Sequence, residues 1–156
     1  MREIKFQCIY RPTKEKFIPS KIDLKNGNVF GNFDGELYDY CYFSLTPNGY
    51  GDAWLRQYTG LHDNTKWDEL TNQEQQEWLN QGKTQEEWEG KEIYVGDIVQ
   101  ISDHPFHGSI TINGNYEVGY NEQMELCCGS WLLFRVKNYV EVIGNIYENP
   151  ELLRKE

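Results

Sequence analysis

From Gly90 to Ile101 the chain runs Gly-Lys-Glu-Ile-Tyr-Val-Gly-Asp-Ile-Val-Gln-Ile. Gly96-Asp97 supplies a turn, and Ile98-Val99 opens a β-branched run that ends at Ser102-Asp103, just before His104-Pro105. Small barrels begin with strands opened in this way, provided that more strands follow. The remainder of the chain is therefore laid out around this stretch.

Upstream, Ile4, Phe6, Cys8 and Tyr10 alternate with Lys5, Gln7 and Ile9, a period near two that predicts a strand with one buried face. Arg11-Pro12-Thr13-Lys14 makes a turn, because Pro fixes φ and has no N–H for a ladder, and a strand near Lys16–Ile18 completes the hairpin. Ile22–Lys25 and Asn28–Phe30 flank Asn26-Gly27, which predicts a hairpin with a type I′ turn. Asp34-Gly35 is a further turn, Leu37–Leu45 is a Tyr- and Phe-rich strand stopped by Thr46-Pro47-Asn48-Gly49, and Ala53–Tyr58 is a strand.

Residues 64–89 differ in kind. Thr71-Asn72-Gln73-Glu74 and Thr84-Gln85-Glu86-Glu87 both fit the capping box, in which a Thr side chain and the Glu three residues on satisfy each other's free backbone N–H groups. Two short helices are expected, with Gly82 ending the first and Leu70, Trp78, Trp67 and Trp88 holding them to the body.

After Ile101 a loop over His104–Gly108 is expected, then Ile110–Ile112, a second Asn-Gly turn at Asn113-Gly114, and Tyr116–Tyr120. Met124–Cys128, Trp131–Val136 and Tyr139–Ile143 add strands, and Asn149 caps a short helix that has Pro150 at its first position. The class is mainly β (α+β). The organisation is a β-rich N-terminal region over 1–63, an acidic helical insertion over 64–89, and a β unit with a short terminal helix over 90–156. At 156 residues this suits one compact body with a weak internal boundary.

The net charge of -10 is unevenly spread. Residues 1–33 hold seven Lys/Arg against three Asp/Glu (+4), residues 34–103 four against fifteen (-11), and residues 104–156 four against seven (-3). An acidic body disfavours non-specific nucleic-acid binding, because phosphate contacts need Lys and Arg. No run approaches the ~18 apolar residues of a membrane span. The stretch from Met1 lacks the apolar core of a signal peptide, so a cytoplasmic location in a bacterial cell and no membrane partner are expected. The four cysteines, Cys8, Cys41, Cys127 and Cys128, are then reduced, and they read as small buried hydrophobes.

Four stretches together resemble the YopX family of bacteriophage and prophage proteins. They are Arg2–Phe6, Gln57-Tyr58-Thr59-Gly60-Leu61-His62-Asp63, Gly90–Val99, and Val142-Ile143-Gly144-Asn145-Ile146-Tyr147-Glu148-Asn149-Pro150. The resemblance implies a mostly β protein whose C-terminal part, from about residue 90, is an SH3-like β-barrel, and it implies a phage or prophage origin. It brings no reaction and no catalytic residue. One departure is visible, since the family runs almost directly from Gln-Tyr-Thr-Gly-Leu into Gly-Lys-Glu-Ile-Tyr, whereas here 64–89 intervenes.

Candidate chemistry is sparse. His104, His107, Cys127 and Cys128 offer four zinc-type ligands, but adjacent cysteines on a strand point to opposite faces, which argues against a site. No Gly-x-Ser-x-Gly, His-Glu-x-x-His, Walker-type or dinucleotide motif is present, so neither an enzyme nor a cofactor is expected. Asp97 has a sufficient role as a turn residue that starts a strand. Binding is the expected mode of action.

An acidic surface of Asp63, Asp68, Glu69, Glu74, Glu77, Glu86, Glu87 and Glu89 suits a basic host or phage protein partner. Arg2, Lys5, Arg11, Lys14 and Lys16, with Lys21 and Lys25, are the cluster able to meet the phosphates of a nucleic acid. Aromatic strands and sheet edges also allow a self-assembling structural protein.

Overall fold

The computed structural model describes residues 3–107 and 110–153, with side-chain placement outside 106–107 and 110–112. The chain divides into two compact units, Met1–Tyr58 and Thr59–Glu156.

In the first unit the strands are β1 (Phe6–Tyr10), β2 (Glu15–Phe17), β3 (Lys21–Asp23), β4 (Asn28–Phe33), β5 (Glu36–Ser44) and β6 (Ala53–His62), ordered β2-β1-β6-β5-β4-β3. The Arg11–Lys14 turn joins β1 to β2 with Tyr10 opposite Glu15. The type I′ turn lies at Asp34-Gly35, not at Asn26-Gly27: φ is 55° at Asp34 and 76° at Gly35, and Phe33 pairs with Glu36. Between Asp23 and Asn28 the loop is four residues long. There the Gly27 amide bonds the Asp23 carbonyl and the Asp23 carboxylate accepts from Asn26, so the Asp side chain and Gly27 at φ 74° shape the loop.

β4 and β5 lose register between Gly31 and Phe33. Tyr38 turns into the left-handed region, at φ 53°, with its amide donating to Asn32 Oδ1 at 2.8 Å. That conformation costs a bulky residue about 1–2 kcal/mol.

The core of this unit gathers Cys8, Phe17, Val29, Phe33, Cys41, Ala53 and Leu55. Phe33 stacks 4.8 Å from Phe17 and lies 4.9 Å from Tyr10. Burial pushes the Cys8 thiol up to about 12 and the Cys41 thiol to about 11, so both behave as small hydrophobes.

The second unit holds the end of β6, then β7 (Glu92–Tyr94), β8 (Asp97–His107), β9 (Ile110–Tyr120), β10 (Leu126–Cys128), β11 (Trp131–Leu132) and β12 (Val140–Asn145). β7 pairs with β6, and an antiparallel sheet runs β11-β10-β9-β8-β12. Among the described residues neither sheet closes into a barrel, so the expected SH3-like barrel is not confirmed; the C-terminal strands form an open sheet. Its core is Ile93, Val99, Ile101, Val118, Cys128, Leu133, Val136 and Val140.

Three further expectations for this unit are corrected. The loop expected from His104 is strand as far as His107, where β8 ends. Asn113-Gly114 is not a turn but lies inside β9, where Gly114 pairs with Ile101 and β8 bulges at Asp103, φ 56°, whose amide donates to Asn113 Oδ1. The run Trp131–Val136 is strand only to Leu132, after which α2 (Leu133–Val136) buries Leu133 and Val136 at helical spacing and leaves Phe134 exposed.

The segment 64–89 holds one α-helix, α1 (Asn72–Asn80), capped by Thr71 and Glu74 as its sequence predicts. The second capping box yields only a 3₁₀ turn over Gln85–Glu87, and another spans Trp67–Glu69. Asn149-Pro150 starts a 3₁₀ turn over Pro150–Leu153. No helix among the described residues is long and apolar enough to cross a membrane.

Candidate functional site

The local sequence His62-Asp63-Asn64-Thr65 leaves β6 and fixes how segment 64–89 is mounted. Asp63 is 5% exposed, so it belongs to the interior and not to the acidic surface expected of it. Its Oδ1 accepts from the amides of Thr65 at 2.9 Å and Lys91 at 2.7 Å. Its Oδ2 accepts from Thr65 Oγ1 and the Val142 amide, both at 2.8 Å. Four donors fill the lone pairs of a buried carboxylate, which is what makes such a charge tolerable inside a protein. The start of the segment, β7 and β12 are thereby tied to one side chain. Gly90, at φ 113°, passes so close that an added Cβ would collide with the Asp63 carbonyl oxygen.

Beside this knot lies a groove of about 700 Å³, lined among others by His62, Thr65, Trp67, Trp88, Glu89 and Lys137. Trp88 stands edge-on to Trp67 at 6.1 Å and to Trp78 at 5.1 Å. Trp88 Nε1 donates to the Thr65 carbonyl, Trp78 Nε1 to the Thr84 carbonyl, and Gln75 Nε2 to the Trp67 carbonyl. Three indoles and Leu70, 7% exposed, thus replace a core for a segment that is otherwise polar. His62 Nδ1 lies 3.8 Å from Glu89 Oε2 on the groove wall.

Of the acidic residues singled out in the sequence, Asp68, Glu69, Glu77, Glu86, Glu87 and Glu89 are exposed. Glu74 is half-buried and committed: its carboxylate accepts from the Thr71 amide, lies 3.4 Å from Lys91 Nζ, and is held below the ordinary carboxylate range chiefly by that amide. The Glu141 carboxyl is pushed up by burial and by Glu69 next to it, so negative charge is crowded on this side.

The basic residues are not one patch. Arg11 and Lys14 both cover Trp54, at 4.8 and 4.6 Å from its ring, and Arg11 Nη1 also donates to the carbonyls of Gly49 and Gly51. Lys5 sits over Tyr58 at 5.7 Å, Lys21 over Phe30 at 5.0 Å, and Lys16 is exposed on β2. Arg2 lies outside the described residues.

Of the zinc-type residues, His104 packs 4.8 Å from the Tyr139 ring and 6.2 Å from Trp131. Cys127 Sγ accepts from Asn121, and the Cys128 thiol is buried in the core and pushed up to about 11. The His107 side chain lies outside the described residues. Among those described, no three His, Cys, Asp or Glu side chains are placed to hold a metal ion.

Two features were missed by sequence reasoning. Asp63-Asn64-Thr65 carried a local signal for a turn, but not for burial, since the partners that draw Asp63 inside, at 91 and 142, are distant in the chain. Tyr38, Tyr40 and Tyr42 did give one, their alternation with Asp39 and Cys41, but that pattern does not say which face is covered. They are 66%, 54% and 46% exposed.

A family model described as YopX protein matches residues 66–154. Gly90–Val99 and Val142–Pro150 fall within the match, as does most of the segment that the resemblance treated as an intervening piece. No curated protein matches the chain. Among solved structures, that of protein EF1440 from Enterococcus faecalis is 21% identical over 99% of this chain and 100% of that one, with a TM-score of 0.54. At that identity the likeness is one of fold.

Proposed function

The chain belongs to the YopX family, and on that premise we propose that it is a phage or prophage accessory protein that acts in the bacterial cytoplasm by binding a protein partner, without chemistry of its own. The partner it suits is a basic segment of a host or phage protein, laid along residues 64–89 with its anchor in the neighbouring groove. What supports this reading above all is that three tryptophans fix a segment whose exposed groups are largely acidic. Interlocked indoles of this kind hold Glu86, Glu87 and Glu89 in place at low entropic cost. A Lys or Arg side chain entering the groove would meet indole edges and faces and the Glu86 and Glu89 carboxylates, the side lined by Lys66 and Lys137 being the less favourable one for it. The SH3-like barrel that the family resemblance implies would be reached by rolling the open C-terminal sheet further, and is not needed for this reading.

The test is capture from nuclease-treated lysate of an infected host, by the full chain and by the double variant Glu86→Lys, Glu89→Lys, which leaves the Thr84–Glu87 cap in place. These residues are exposed, so the variant should melt within a few degrees of the parent. The partner retained by the parent should bind the variant at least about tenfold more weakly, a change of ~1.4 kcal/mol. Equal retention by both chains, or a partner that vanishes on nuclease treatment, would count against the reading.

A further inference from the structure

β3, β4 and β5 turn one face to the core of the first unit and leave the other open. Two rows cross the strands on the open face, Lys21 with Phe30 and Tyr40 in one, Asp23 with Asn28 and Tyr42 in the next. The row between them, Ile22, Val29 and Cys41, packs in or against the core. Phe30 has Tyr40 at 5.6 Å and Tyr38 at 6.1 Å, with Lys21 Nζ 5.0 Å above its ring. Tyr42 lies 6.0 Å from Tyr50, which is 86% exposed. Tyr38 joins the patch only through a left-handed backbone that the chain holds in place with Asn32. Nine of the thirteen large apolar side chains left exposed among the described residues belong to the first unit, so the want of cover is local to it.

We propose that this face is a homodimer interface, covered by the same face of a second copy of the chain. Area is the first argument. At ~200 Å² per ring, the four tyrosines leave roughly 500 Å² of surface to solvent. Recognition surfaces are only about 57% apolar, so a contact built on these rings covers ~850 Å² of each copy, against about 800 Å² in a standard stable interface. Charge is the second argument. Residues 1–58 hold eight Lys/Arg against seven Asp/Glu, or +1, and the remaining 98 residues hold seven against eighteen, or -11. Two such chains repel except through their first units, where they meet almost without net charge. The rows themselves are self-complementary. A two-fold axis that crosses the strands midway between the rows sets Lys21 of one copy opposite Asp23 of the other, and Tyr40 opposite Tyr42, each contact being made twice. An axis along the strands would face Asp23 with Tyr42 and leave it no cation. Pairing through a sheet edge fits less well. β5 meets β6 only at Phe43 and Ser44, but along the rest of β5 the Asp39 carboxylate already accepts the Tyr40 amide, which blunts that edge. The inference does not rest on the protein-partner reading, which concerns the other unit.

Sedimentation equilibrium of the full chain is the measurement. The parent should be a dimer at about 100 µM and dissociate on dilution with Kd in the micromolar range. Tyr40→Ala with Tyr42→Ala removes the rings that face one another and should weaken the dimer at least about tenfold. Tyr50→Ala, in an exposed loop where folding is not at stake, should weaken it as well. Lys21→Asp sets carboxylates against each other twice and should weaken the dimer at least about fivefold. Adding Asp23→Asn, which keeps an oxygen for the Asn26 amide, removes that repulsion and should recover at least about twofold of the loss.

The proposal fails if the parent is still a monomer at about 100 µM, if the tyrosine variants dimerise like the parent, or if Asp23→Asn recovers nothing in the Lys21→Asp chain. Glu86→Lys with Glu89→Lys should dimerise like the parent, and a monomer there would place the contact in the other unit and overturn the proposal. A parent that stays monomeric and yet captures a protein partner would sink this inference and leave the partner reading standing.

Discussion

Asp63→Ala is expected to cost the second unit about 4 kcal/mol or more. The substitution strands three backbone N–H groups, those of Thr65, Lys91 and Val142, and the Thr65 hydroxyl, in a site that is 5% exposed. A buried donor that loses a charged acceptor costs about 1–3 kcal/mol, and the four share one small site, so their losses do not simply add. Against the 5–15 kcal/mol typical of a whole domain, such a loss leaves the unit barely folded. Asp63→Asn keeps one acceptor oxygen and should cost less than Ala. Urea unfolding followed by tryptophan fluorescence is the measurement, because Trp67, Trp78, Trp88 and Trp131 all report on this unit. A loss below about 1 kcal/mol for Ala would mean that the knot does not carry the packing assigned to it.

Gly90→Ala is the second large effect, and it acts on the same few atoms from the other side. At φ 113° an L-residue is strained, and the new Cβ would overlap the Asp63 carbonyl oxygen, a backbone atom that cannot swing aside. A loss of about 3 kcal/mol or more is expected, through backbone displacement and not through any lost side-chain contact. Asp63 and Gly90 should then be coupled: once the alanine at 90 has pushed the 63 backbone away, removal of the carboxylate has less left to undo. The double variant should be less destabilised than the sum of the single losses. Simple additivity in the same unfolding measurement would show that the two act separately.

How far the sequence could be read depended on how local the deciding forces are. Thr71 and Glu74 satisfy each other within one turn, and α1 starts where their spacing predicts. Arg11–Lys14 and Asp34-Gly35 are turns for reasons held within a few residues. At Asn113-Gly114 the same local chemistry misled, because the register with β8 carries β9 straight through and puts the irregularity on the facing strand at Asp103. At Trp131–Val136 the apolar density was visible, but whether it buries with period two or at i,i+3 was decided by the core waiting for Leu133 and Val136. The barrel expectation came from family likeness and strand number, and strand number alone does not close a sheet.

The candidate surfaces follow the same division. The acidic run was plain in the sequence, except that Asp63 is withdrawn from it by partners 28 and 79 positions away. The tyrosines of β5 were plain as residues and hidden as a surface, because alternation fixes that two faces differ and not which one meets water.

The cysteines make the molecule its own clock. With thiols lifted to about 12 at Cys8 and about 11 at Cys41 and Cys128, almost no thiolate exists at neutral pH while the chain is folded. All four thiols are buried, so an alkylating reagent reads out the moments of opening, with Cys8 and Cys41 timing one unit and Cys127 and Cys128 the other.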